Sequence, residues 1–168
     1  DDTFLSLDGT KDFVKLGRLK DFEASDQLSF SVDFRKENAG DGDMRLVWNH
    51  RKLGLAVEED GLRLYVASAD KPFYESTLID DLGLDDTELH QAIVILDAAT
   101  DHLQVLLDGD VVYEEQQERD MDIVGAGGRE AGWLLGTPWG HEFKGDIHDF
   151  RLEADAQFML IDDASLIA

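Results

Sequence analysis

The chain contains no cysteine. That excludes a disulfide framework and a thiolate zinc site, and it leaves export open. Cations are scarce: Lys and Arg total 15 against 38 Asp plus Glu, a net charge of −23 at pH 7. Nucleic acid and anionic membrane both demand a positive face, so this balance excludes them as partners. An acidic polysaccharide would be repelled as well, except through a bridging cation or a local basic patch. Only two prolines occur, and no Ser/Gly/Pro-rich linker divides the sequence. No apolar run approaches the length of a transmembrane helix. A basic-then-apolar leader is missing from the start, and an opening at Asp1-Asp2 is expected of an excised domain or a mature form.

What is present is enough for one folded domain. A length of 168 residues can bury a sizeable core without staples, and an apolar fraction of 43% separates the chain from disordered acidic tails. Asp outnumbers Glu about two to one, which suits turns better than helix faces. Three accounts of the acidity stand side by side: a solvated surface adapted to salt, carboxylates for calcium, and export in an unfolded form followed by folding where calcium is plentiful.

Short apolar segments alternate with turn signals throughout. Leu28-Ser29-Phe30-Ser31-Val32-Asp33-Phe34 has the period of two expected of a half-buried strand. Phe4 to Leu7, Phe13 to Leu16 and Met44 to His50 read as further strands. Leu53 to Val57 pairs with Leu62 to Val66 across Glu58-Glu59-Asp60-Gly61. Ala92 to Leu96 precedes Leu103 to Leu107, and Asp108-Gly109 is a hairpin turn into Val111-Val112-Tyr113. Leu82 to Glu88 is read as an acidic loop with a helical turn. The pattern predicts an all-β, two-sheet antiparallel jelly-roll sandwich over residues 1–157, with residues 158–168 an edge strand or a link to a further domain.

Near the end, Gly132-Trp133-Leu134-Leu135-Gly136 leads through Trp139 and His141 to Phe143-Lys144-Gly145-Asp146-Ile147-His148-Asp149-Phe150-Arg151. This block resembles the closing F-x-G-x-I-D-E-V-R motif of laminin-G-like and concanavalin-A-like domains. Phe4 to Thr10, Leu28 to Phe34, and His90 to Val112 resemble the opening strand, the F-T-I-S-x-W strand and the D-G hairpin meander of the same superfamily, in the same order. The resemblance covers residues 4–153. It implies an extracellular or cell-surface sandwich, bacterial in origin, that binds glycan or protein and often calcium; some members are glycoside hydrolases or polysaccharide lyases.

Calcium is the expected cofactor, and the resemblance implies a site joining the first turn to the closing strand. Asp8 and Asp149 are the nearest carboxylates, but His148 occupies the family's Asp position, and a one-residue shift turns a strand side chain to the opposite face. The alternative is the loop Asn38-Ala39-Gly40-Asp41-Gly42-Asp43, with Asp41 and Asp43 as ligands; it lacks the ligand series of an EF-hand. For glycan, Trp139 in its glycine-flanked loop is the expected stacking platform, with His141 beside it. Trp48, His50 and Arg45 are further candidates. Leu46, Trp48 and His50 share one face of a regular strand, with Arg45 and Asn49 on the other. Trp133 is read as core.

A catalytic reading meets a specific obstacle. Retaining glycosidases on this fold use two carboxylates on one strand face. The nearest string, Asp120-Met121-Asp122-Ile123-Val124-Gly125, has Gly in place of the final acid. No nucleophile elbow, phosphate loop or His-x-x-x-His pair occurs. The sequence therefore points to a non-catalytic glycan-recognition or adhesion module within a larger multidomain chain, with calcium assisting. A polysaccharide-active enzyme and a calcium-rigidified spacer are the alternatives.

Overall fold

The computed structural model describes residues 3–17, 26–49, 53–67, 75–118, 120–121 and 132–159. Among them twelve strands form two six-stranded antiparallel sheets, and no helix is present. Sheet A runs in the order β1 (Leu5–Asp8), β12 (Lys144–Glu153), β3 (Gln27–Lys36), β8 (His90–Asp97), β9 (His102–Leu107), β10 (Asp110–Gln116). Sheet B runs β2 (Val14–Gly17), β11 (Trp133–Leu135), β4 (Met44–Asn49), β5 (Leu53–Val57), β6 (Leu62–Val66), β7 (Glu75–Ile79). This is the all-β sandwich that the alternating pattern predicts.

The core lies between the sheets because every second residue is apolar. On β3, Leu28, Phe30, Val32 and Phe34 are buried while Ser29, Ser31 and Asp33 stay partly open. Leu53, Leu55, Leu62 and Leu64 join them in the core from sheet B. Each such side chain contributes roughly 1.5–3 kcal/mol when fully buried. Trp133 is buried in this core, as expected, with its ring edge against Phe30. Gly145 sits where β12 passes β3: an added Cβ would collide with the Arg35 carbonyl oxygen, and its φ of 151° is one that L side chains rarely adopt.

Two segments differ from expectation. Glu75–Ile79 forms an edge strand that its polar composition hides, since only Ile79 is buried. Leu82 to Glu88 holds no helical turn. Its backbone is pinned instead by Asp60, whose carbonyl accepts from Leu82 N and whose carboxylate accepts from Leu84 N.

Bulges correct the strand faces. The β4–β5 register shifts between Arg45 and Val47, so Leu46 and Val47 both enter the core and Trp48 emerges on the same outer face as Arg45. A second bulge inserts His148 between Ile147 and Asp149 in β12. Beyond β12, residues 154–159 cross the outer face of sheet A. Gln104, 1% exposed, exchanges two hydrogen bonds with the Met159 backbone (2.9 and 3.0 Å), and the His102 ring stacks on Phe158 at 3.7 Å. Phe158 and Met159 belong to no strand; residues 160–168 lie outside the described residues.

Candidate functional site

The loop from Gly136 to Phe143 folds against the start of β4. Gly136 N donates to Leu46 O (2.9 Å) and Arg45 N donates to His141 O (2.8 Å). Inside the loop, Thr137 Oγ1 donates to Gly140 O (3.0 Å) and Gly140 N to Glu142 Oε1 (3.1 Å). Positive φ at Gly140 and His141 tightens the turn. These bonds hold Trp139 at the apex with 57% of its surface open. Two residues on, His141 Nδ1 lies 2.7 Å from Asp43 Oδ2. The loop is thereby tied to the end of the Asn38–Asp43 segment.

From Asp43 a polar line runs across the outer face of sheet B. Asp43 N donates to Glu58 Oε2 (3.2 Å), Arg63 Nε donates to Glu58 Oε1 (2.7 Å), and Arg63 Nη1 donates to Ser76 Oγ (3.3 Å). The bond to Glu58 holds the Arg63 guanidinium above its ordinary pKa. Beside this line the Arg45 guanidinium lies 4.1 Å over the Trp48 ring, and Trp48 meets Tyr65 edge-on at 5.0 Å. Burial pushes the Tyr65 hydroxyl up. Trp48 is only 2% exposed because it lies flat on Gly54, its cross-strand partner. Arg45 Nε is buried and has no hydrogen-bond acceptor among the described residues. Lys15, opposite Leu134 in the register that also places Trp48 opposite Leu134, adds a further cation to this face.

The structure thus brings Trp139, His141, Asp43, Arg45 and Trp48 into one neighbourhood, whereas a regular strand would have put Arg45 and Trp48 on opposite faces. His50 and Asp122 lie outside the described residues. Arg63 and Glu58 were not among the sequence candidates. Their signal was the alternation of Leu62-Arg63-Leu64-Tyr65-Val66, which sends Arg63 and Tyr65 to the outer face opposite Ala56 and Gly54.

The carboxylates expected to hold calcium are differently engaged. Asp8 accepts from Thr10, through both its backbone N–H and its hydroxyl, and faces Lys144 in the register. Asp149 is five residues further along β12, about 16 Å away at strand rise, and accepts from Arg151. These two do not form one ligand set. Asp41 accepts from the Asn38 amide, and Asp43 faces His141. At the centre of that loop stands an ammonium: Lys36 Nζ donates to Ala39 O (2.6 Å), Asp41 O (3.2 Å) and Glu59 O (2.8 Å). A divalent ion does not fit beside it. Among the described residues, the carboxylates of Asp60, Asp80 and Asp81 are the group within 4.8 Å of one another.

No family model and no curated protein sequence matches this chain. Solved structures do. The Ruminococcus gnavus IT-sialidase CBM40 bound to α2,3-sialyllactose is 14% identical, with a TM-score of 0.73 over 98% of this chain and 94% of that one. The leech intramolecular trans-sialidase in complex with 2,7-anhydro-Neu5Ac is 14% identical at a TM-score of 0.74, and this chain spans 26% of it. The receptor-binding domain of botulinum neurotoxin mosaic serotype C/D is 11% identical at a TM-score of 0.67, and this chain matches 39% of it. The likeness is one of fold. What is shared is the two-sheet β-sandwich.

Proposed function

We propose that this chain is a carbohydrate-recognition module that reads a sugar bearing a carboxylate on the outer face of sheet B. The observation that carries the reading is Arg45. In a chain with 38 carboxylates and 15 cations, this guanidinium is half-buried on Trp48 and its Nε has no acceptor among the described residues. A carboxylate docking on the open part of this half-exposed guanidinium would accept a charge-assisted hydrogen bond of about 1.5–3 kcal/mol. Trp139 offers an exposed indole for the C–H face of a pyranose ring. His141, Asp43, Glu58 and Arg63 supply donors and acceptors for hydroxyls. The outer face of sheet A is a poorer platform, since residues 154–159 lie across it.

The sialidase CBM40 of the same fold, solved with α2,3- and α2,6-sialyllactose, supports a sialylated glycan as the ligand class. The reading carries with it an extracellular or cell-surface setting, a larger multidomain chain, and modest single-site affinity raised by avidity. Calcium assistance falls to Asp60, Asp80 and Asp81, whose carboxylates lie within 4.8 Å of one another. A glycan array run in millimolar calcium and again in EDTA tests the reading. Binding to sialylated or uronate-bearing glycans that Arg45→Ala abolishes supports it. Binding confined to neutral glycans refutes the carboxylate. Released oligosaccharide would favour an enzyme, and silence on every glycan with calcium-dependent stability would favour a spacer.

A further inference from the structure

Lys36 ends the inward-facing series Leu28, Phe30, Val32, Phe34, and its side chain is 3% exposed. An ammonium has three N–H donors. Here all three find backbone carbonyls, two from the β3–β4 loop (Ala39, Asp41) and one from the β5–β6 turn (Glu59). The carboxylates of Asp41, Glu59, Asp85 and Asp86 act on the same charge through space. Carbonyl oxygens converging from separate loops, in a field of nearby carboxylates, are a setting a hard divalent cation takes. In this chain a covalently attached cation sits at the point of convergence.

We propose that the Lys36 ammonium takes the place of a calcium ion at the centre of the Asn38–Asp43 loop. The loop, and the Asp43–His141 pair at its end, are then ordered without metal. Lys36 is a positioning residue: it touches no ligand, but it fixes the carbonyls that set where Asp43 leaves the loop. The inference does not depend on which glycan is bound, or on whether one is bound.

The test uses three proteins followed by thermal unfolding and by backbone amide spectra, in EDTA and in calcium at constant ionic strength. For the unaltered protein, the Asn38–Asp43 and His141 amide signals are expected to be the same in both. Lys36→Ala leaves the oxygens converging on an empty space. Its midpoint is expected to fall by about 5–10 °C, its Asp43 and His141 signals to shift, and calcium to restore a substantial part of both. Lys36→Met fills the space with an apolar stem, and its loss is expected to ignore calcium.

Saturable calcium shifts at Asp41 or Asp43 in the unaltered protein would overturn the proposal. So would a Lys36→Ala variant whose loop signals do not move, or one whose loop loosens without any response to calcium. Should neither variant fold, the unaltered protein decides by its response at Asp41 and Asp43.

Discussion

Replacing Gly54 by alanine tests whether the Arg45–Trp48 platform depends on a bare backbone beneath it. An alanine Cβ at this position would lie 2.5 Å from Trp48 Cζ3 and 3.3 Å from Cδ2. Carbon atoms pack at about 3.5–4.0 Å, so the indole must withdraw by about 1 Å. It has little room, because Tyr65 meets it edge-on at 5.0 Å and Arg45 covers it at 4.1 Å. Overpacking of this kind costs about 1–3 kcal/mol. The stiffer unfolded chain offsets about 0.4–1 kcal/mol. A net loss near 1.5 kcal/mol lowers the midpoint by about 3–6 °C in a domain of this size. Gly40→Ala is the matched control, since a Cβ there meets nothing within 4 Å, and it is expected to be neutral or slightly stabilising. Differential scanning calorimetry gives the midpoints, and the Trp48 indole N–H signal reports the displacement. Equal midpoints for the two variants, with an unmoved indole signal, would refute the packing argument.

Trp139→Ala is expected to abolish glycan binding while leaving the midpoint within about 1 °C, because the side chain is 57% exposed; a calorimetric titration beside a melting curve checks both. Gly145→Ala, which strikes the Arg35 carbonyl and strains φ, is expected to cost about 3 kcal/mol or more and to remove most folded protein on expression. Gln104→Ala breaks both bonds to Met159 and is expected to speed amide exchange at Met159 by tenfold or more. His90 bridges Asp108 (2.7 Å) and Asp86 (2.9 Å), and only the imidazolium has a donor for each. Burial opposes that charge, but the bonds to Asp108 and Asp86 outweigh it and raise the His90 pKa above 6.5. On Asp86, burial acts upward, yet the His90 bond draws its pKa below 3.8. The bridge therefore stabilises fully between about pH 3.8 and 6.5. Its contribution fades as pH rises through the folded His90 value or falls through the folded Asp86 value. His90→Gln is expected to flatten the upper limb of a midpoint-against-pH curve, and an unchanged limb would reject the bridge.

The sandwich was legible because half-buried strands write burial into every second residue, as β3 and β6 do. The bulges were not, since a bulge breaks the period from which faces are inferred, and so Arg45 and Trp48 were assigned to opposite faces. Glu75–Ile79 was missed because an edge strand needs apolar residues on one face only, and here only Ile79 is buried. Lys36 could have been found: its parity in β3 sends it inward, and an inward lysine requires acceptors. The loop Asn38 to Asp43 was read from its own carboxylates, whereas the cation that organises it comes from the preceding strand. Trp139 and His141 stood out through their glycine-flanked loop, but their tie to Asp43 depends on pairing between distant segments that local pattern does not carry.

The most direct test of the carbohydrate reading is an amide and indole NMR titration with 3′-sialyllactose, lactose serving as the neutral comparison. The account predicts saturable shifts at Arg45, His141 and the Trp139 and Trp48 indoles with sialyllactose, and none with lactose. No shift with either sugar, or shifts confined to the outer face of sheet A, would contradict it.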